Sequence, residues 1–133
     1  MTYVLDTNII TVILKDNKKI KQKAQMMMLE GKKIFINGIS YYEIKRGLLA
    51  INADAKLRKF ESLCREFGLV LLDSLDIFDI ASEIYADLRQ RGNLIKDADI
   101  LIASMVKHRN FILVSNDTDF DRIEGIKIEN WLN

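Results

Sequence analysis

The chain has 133 residues, enough for one hydrophobic core and short of what two domains usually need, so a single domain over 1–133 is expected. Hydrophobic residues at 49% and charged residues at 29% exclude a disordered chain, and a net charge of +1 excludes an overall field that would gather a polyanion by itself. The single cysteine, Cys64, excludes an internal disulfide, and no stretch approaches the ~18 apolar residues of a membrane span, so a reducing, cytoplasmic setting without membrane attachment is expected.

Met1 runs straight into Tyr3-Val4-Leu5 with no basic leader, and that apolar run ends on Asp6, the pattern of a buried strand. Helical periodicity follows over Asn8 to Leu14 and Ile20 to Leu29, with Gly31 placed to stop the second helix. The run Lys15 to Lys23 holds five lysines and reads as a solvated face or a local basic patch. Met26, Met27 and Met28 sit together, a type that fills a core or makes an adaptable surface. Lys33 to Asn37 is rich in strand formers and is followed by a turn signal, Gly38. Ser40-Tyr41-Tyr42-Glu43 has the form of a capping box, opening a helix that runs to about Ala50. Asp54 caps a further helix to about Phe67; Gly68 breaks it, and Leu69 to Leu72 reads as a third strand. Asp76 to Arg91 is a long amphipathic helix closed by Gly92, and Asp97 to Lys107 is another. Phe111 to Val114 is the fourth strand, and Ile126 to Ile128 a short fifth.

Strands separated by long helices need crossover connections, which predicts an α/β fold: three α/β/α layers around a parallel sheet of four to five strands. Ligands of such sheets bind beyond the carboxyl ends of the strands. Asp6 and Asp117 follow strands, while Glu43, Asp97 and Asp99 sit at expected helix starts, so all five can face one rim. Each acid alone has a local explanation, since a helix dipole stabilises a first-turn carboxylate by ~0.3–1 kcal/mol. Gathered on one rim, they repel unless a cation or protons intervene.

Oxygen-only donors select Mg²⁺ or Mn²⁺, whereas zinc would want histidine or cysteine. His108, the only histidine, stands at a helix end beside Lys107 and Arg109 and reads as a surface residue. Ser-His-Asp and Cys-His chemistry are thereby excluded for one chain acting alone, and no glycine-rich phosphate loop is present. What remains is metal-assisted hydrolysis, most simply of a phosphodiester. Arg46 follows Glu43, and Arg89, Arg91 and Lys96 lead into Asp97; these four are the candidate nucleic-acid contacts, and RNA contacts if the substrate is RNA.

Four segments carry a resemblance. Val4-Leu5-Asp6-Thr7-Asn8, Ile39 to Gly47, Asp97 to Ala103 and Val114 to Phe120 resemble, in order, the four acidic motifs of PIN-domain nucleases. The short length, the helical pair after the second motif and the tail Ile123 to Trp131 are most similar to VapC-type toxins, the ribonuclease halves of toxin–antitoxin pairs. The resemblance implies an endoribonuclease using Mg²⁺, for which Mn²⁺ can substitute, with Asp6, Glu43 and Asp99 as primary acids. Asp117 or Asp119 would complete a second, weaker metal site, and Asp117 joins the catalytic set. Thr7 and Ser115 match supporting hydroxyl positions; Asp97 is an added outer ligand or only a helix cap. Also implied are a VapB-type antitoxin laid across a groove between early helices, a homodimer bound to it, and transfer RNA as substrate. Two rivals stand beside this reading. One is a catalytically idle PIN-like module binding RNA or protein. The other, a receiver-type phosphoryl-transfer domain, wants an acidic pair after its first strand, where this chain has Asp6-Thr7-Asn8.

Overall fold

The computed structural model describes all residues from Met1 to Asn133. β1 (Thr2–Leu5) leads into α1 (Thr7–Leu14) and α2 (Lys18–Leu29), followed by β2 (Lys33–Asn37), α3 (Gly38–Ala50) and α4 (Asp54–Phe67). β3 (Leu69–Val70), α5 (Leu75–Gln90), α6 (Asp97–Arg109), β4 (Ile112–Val114), a 3₁₀ turn over Thr118–Arg122 and β5 (Lys127–Glu129) complete it. The strands form one sheet in the order β3-β2-β1-β4-β5, every pair parallel. The expected three-layer α/β/α architecture is what the chain adopts.

Side-chain alternation along the strands sorts the core into two layers. Tyr3 and Leu5 of β1 pack with Ile34 and Ile36 of β2 and with Ile9, Ile20 and Phe60 from α1, α2 and α4. Val4 and Leu113 point the other way, against Ile77 and Leu88 of α5 and Ile102 and Met105 of α6. Helices α1 to α4 therefore cover one face, and α5 and α6 the other. Chain order reverses between β1 and β4, so the switch point of the sheet lies where these two adjacent strands end.

Several boundaries differ from the sequence expectation for identifiable reasons. The helix after β2 is not opened by a Ser40/Glu43 capping box. Asn37 is its N-cap, the Ser40 backbone N–H donating to Asn37 Oδ1 at 2.9 Å, and Glu43 lies in the second turn. Likewise α4 has no side-chain cap: its N-cap position is Ala53, and Asp54 stands in the first turn. α5 starts one residue early because Ser74 accepts from the Asp76 N–H. β3 keeps only Leu69 and Val70, paired with Ile36 and Asn37, because its partner ends at Asn37. Leu71 instead covers Gly38, where an added Cβ would meet its Cδ2 at 3.2 Å. α6 runs on to Arg109, and Asn110 terminates it in the left-handed region at φ 56°. The methionine run divides: Met27 is buried, Met26 is exposed, and Met28 packs at the edge of the core.

Candidate active site

β1 and β4 end side by side, Leu5 in register with Val114, and each delivers an acid at its carboxyl end. Asp6 caps α1: its Oδ1 accepts from the Thr7 N–H at 2.8 Å, and its backbone N–H donates to Val114 O. The Ser115 hydroxyl, just past β4, donates to Asp6 Oδ2 at 2.9 Å and accepts from the Asp117 N–H at 3.0 Å. Asp117 Oδ1 in turn accepts from the Asp119 N–H at 2.9 Å, capping the 3₁₀ turn. A continuous polar path thus ties the first acid to the last loop across 109 positions of sequence.

Asp99, in the first turn of α6, completes the cluster: one carboxylate oxygen from each of Asp99, Asp117 and Asp119 lies within 4.8 Å of the others. Asp6 and Glu43 border it closely enough for their charges to act on Asp99. Glu43 is held by the Thr7 hydroxyl, which donates to its Oε1 at 2.9 Å. Loss of water, then the charges of Asp6 and Asp117, push the Asp99 carboxyl up to about 6, against a weaker downward pull from Lys96. Asp6, only 3% exposed, is pushed up chiefly by burial, and its bonds from Ser115 and Thr7 hold it back.

Arrays of this kind are costly as bare anions, and oxygen-only donors suit a hard cation such as Mg²⁺, Mn²⁺ or Ca²⁺. The donor set therefore fits a divalent metal. The tightest triplet is Asp99, Asp117 and Asp119, whereas Asp6, Glu43 and Asp99 are the expected primary trio. The reason is local. Asp6 stands at the end of β1 and Glu43 reaches in from the second turn of α3, whereas Asp99 opens α6. Asp117 and Asp119 also enter together, because Asp117 caps the 3₁₀ turn that carries Asp119.

A PIN domain profile matches residues 3–126. The chain belongs to the PIN domain family. Ribonuclease VapC2 of Rickettsia felis is 28% identical over 139 residues, covering 98% of each chain. The tRNA(fMet)-specific endonuclease VapC of Shigella flexneri is 28% identical over 138 residues, again with 98% of each chain covered. Among solved structures, VapBC2 of Rickettsia felis bound to a promoter DNA fragment superposes with a TM-score of 0.91 at 25% identity, over 98% of this chain and 99% of that one.

Other expected site residues of this PIN domain fall outside the cluster. Asp97 is exposed and lines a groove with Phe78, Tyr85 and Leu101, because two positions along a helix turn a side chain to the opposite side from Asp99. Arg91 is engaged locally: its guanidinium bonds Asp87 Oδ2 at 2.7 and 3.1 Å and the Arg122 carbonyl at 2.8 Å. Arg89 is exposed in the last turn of α5. Arg46 lies over the Tyr42 ring at 4.9 Å, one turn beyond Glu43, and Lys96 is the N-cap of α6 with its charge felt at Asp99. Two further residues beside the cluster, Asn37 and Ser40, have no site role in the sequence reading, where Ser40 is only a helix-cap candidate. Both are fully buried, and their bonds lead to Thr7. The Asn-x-x-Ser spacing ahead of Glu43 carries that signal in the sequence; it is masked by the adjacent Ser-x-x-Glu spacing.

Proposed function

We propose that the protein is a VapC-type toxin, a metal-dependent endoribonuclease whose single domain spans 1–133 and acts in the cytoplasm. The observation that carries this reading is the convergence of Asp99, Asp117 and Asp119 within 4.8 Å at the switch point of the sheet, bordered by Asp6 and Glu43. Asp99, Asp117 and Asp119 would hold Mg²⁺ or Mn²⁺, with Asp6 and Glu43 completing the acidic wall. A bound ion of this class neutralises charge on a phosphodiester and acidifies water, the chemistry that hydrolysis requires.

The protein's own groups set up that chemistry. Ser115 fixes Asp6 and the Asp117 loop relative to each other. Thr7 orients Glu43, and the charge of Lys96 eases ionisation of Asp99. Structured RNA, transfer RNA in particular, is the substrate class we assign. The Shigella flexneri relative named for tRNA(fMet) supports that assignment. Exposed Arg46, Arg89 and Lys96 are the retained candidates for phosphate contact.

The partner is a VapB-type antitoxin. A groove between α1, α3 and α4 opens at Thr7 and Glu43, is floored by Leu14, Ile44 and Leu48, and carries Lys15 and Lys56 at its side, so an amphipathic segment of mixed charge fits it. A second copy of the chain completes the assembly we propose. Expression without a partner should arrest bacterial growth, and Asp117→Asn at the same level should be tolerated. A toxic Asp117→Asn protein would contradict the proposal.

A further inference from the structure

A polar chain runs from the sheet to Glu43 through Thr7 and through two fully buried residues, Asn37 and Ser40, that have no catalytic assignment. Asn37 ends β2 and Ser40 lies in the first turn of α3, and both are 0% exposed. Asn37 Nδ2 has two protons. One goes to the Leu5 carbonyl at 3.1 Å, the other to Ser40 Oγ at 3.0 Å. Ser40 Oγ stands 2.7 Å from Thr7 Oγ1, and Thr7 donates to Glu43 Oε1 at 2.9 Å. Each hydroxyl has one proton, so the direction is fixed. Ser40 accepts from Asn37 and must donate to Thr7, whose own proton is committed to Glu43. Every hydroxyl donor points toward the carboxylate.

We infer that Asn37 and Ser40 are positioning residues, acting through Thr7 to hold the Glu43 carboxylate against the aspartate cluster. Glu43 needs such a restraint. It reaches the cluster by a long side chain from mid-helix, and the charges of Asp6 and Asp99 repel it. With nothing pulling it inward, a half-buried glutamate would turn toward solvent. The restraint is anchored at the Leu5 carbonyl, the residue before Asp6, so one arrangement registers Glu43 on the strand that delivers Asp6. A chain of oriented bonds ending on an ionised acceptor is also stronger than its members taken singly. The inference rests on the metal-site reading of the cluster, not on which RNA is cut.

Asn37 also caps α3, so its replacement would lower stability whatever its second role; Ser40→Ala, Thr7→Val and their combination make the cleaner test. Each variant would be assayed for Mn²⁺ affinity without RNA, for kcat and KM on a cleaved RNA, and for Tm in chelator, with Glu43→Gln as the reference. Each single change should weaken Mn²⁺ binding by about tenfold or more and lower kcat rather than raise KM. The double variant should be no worse than the worse single one, since both break the same chain. Wild-type Mn²⁺ affinity in Ser40→Ala with only a lower Tm would reduce Ser40 to a structural hydroxyl and overturn the inference. Losses that add in the double variant would overturn it too. RNA left intact by the wild-type protein would count against the ribonuclease reading alone, because the Mn²⁺ arm decides the relay by itself; a wild-type protein that binds no Mn²⁺ would sink both.

Discussion

Replacing Asp99 by asparagine should stabilise the metal-free protein while disabling its site. Burial beside Asp6 and Asp117 raises this carboxyl from 3.8 to about 6. The folded state then holds a proton that the unfolded chain has already released. Stability from this group is fully present below pH 3.8, falls as pH rises, and is lost above about pH 6. At about 1.4 kcal/mol per pH unit, the interval bounds the loss near 3 kcal/mol; the partly open position of Asp99 reduces it by screening to roughly 1–2 kcal/mol. An asparagine at this position would carry no charge and escape that loss. For a domain of this length the gain corresponds to a Tm about 3–7 °C higher at about pH 7.5 in chelator. The difference between variant and wild type should close near pH 4, where the native carboxyl is protonated. Mn²⁺ should reverse the order, raising the wild-type Tm strongly and the variant's little. Thermal melts of both proteins at the two pH values, with and without Mn²⁺, read all of this. A less stable Asp99→Asn protein at about pH 7.5 in chelator would refute the reasoning, since it would mean that the ionised carboxylate is favourably partnered.

Asp6→Asn keeps the Oδ1 acceptor for the Thr7 N–H and removes the charge, so the fold should persist while cleavage falls by roughly 100-fold or more, measured as initial rate on a fixed RNA. Asp97→Asn, by contrast, should leave the cleavage rate within about twofold of wild type, because Asp97 faces the α5–α6 groove; a large loss would return it to the site. Phe60→Ala should cost about 3–5 kcal/mol in a denaturant titration, as Phe60 is fully buried between α4 and the sheet and packs its ring against Tyr41 in a tilted pair. Asn110→Val should lower stability by about 1–2 kcal/mol, because a β-branched residue cannot easily hold the left-handed φ of 56° that ends α6.

The fold was legible because its elements advertise themselves. Apolar runs such as Tyr3-Val4-Leu5 alternate with helical periods, and parallel strands follow from the long helices between them. Boundaries were less legible where two signals competed. Ser40 and Glu43 match a capping box, yet Asn37 three residues before Ser40 caps the helix instead, and sequence spacing cannot say which acceptor wins. The acids were legible as a set, since Asp6, Asp99, Asp117 and Asp119 follow strands or open helices. Their internal arrangement was not. It depends on the phase of α6, which separates Asp97 from Asp99, and on the turn after Asp117, which brings Asp119 back. The polar chain through Asn37, Ser40 and Thr7 joins residues more than 30 positions apart, and only the packing of β1 against β2 and α3 creates it.

The most direct test of the account is to incubate the purified protein, free of any partner, with total cellular RNA and Mg²⁺ or Mn²⁺, and to map the new RNA ends. Parallel reactions would contain Asp99→Asn or a chelator. Discrete cuts leaving 5′-phosphate and 3′-hydroxyl ends are expected, concentrated in transfer RNA and absent from both controls. Intact RNA in the presence of demonstrated Mn²⁺ binding, or cuts that survive in Asp99→Asn and chelator, would contradict it.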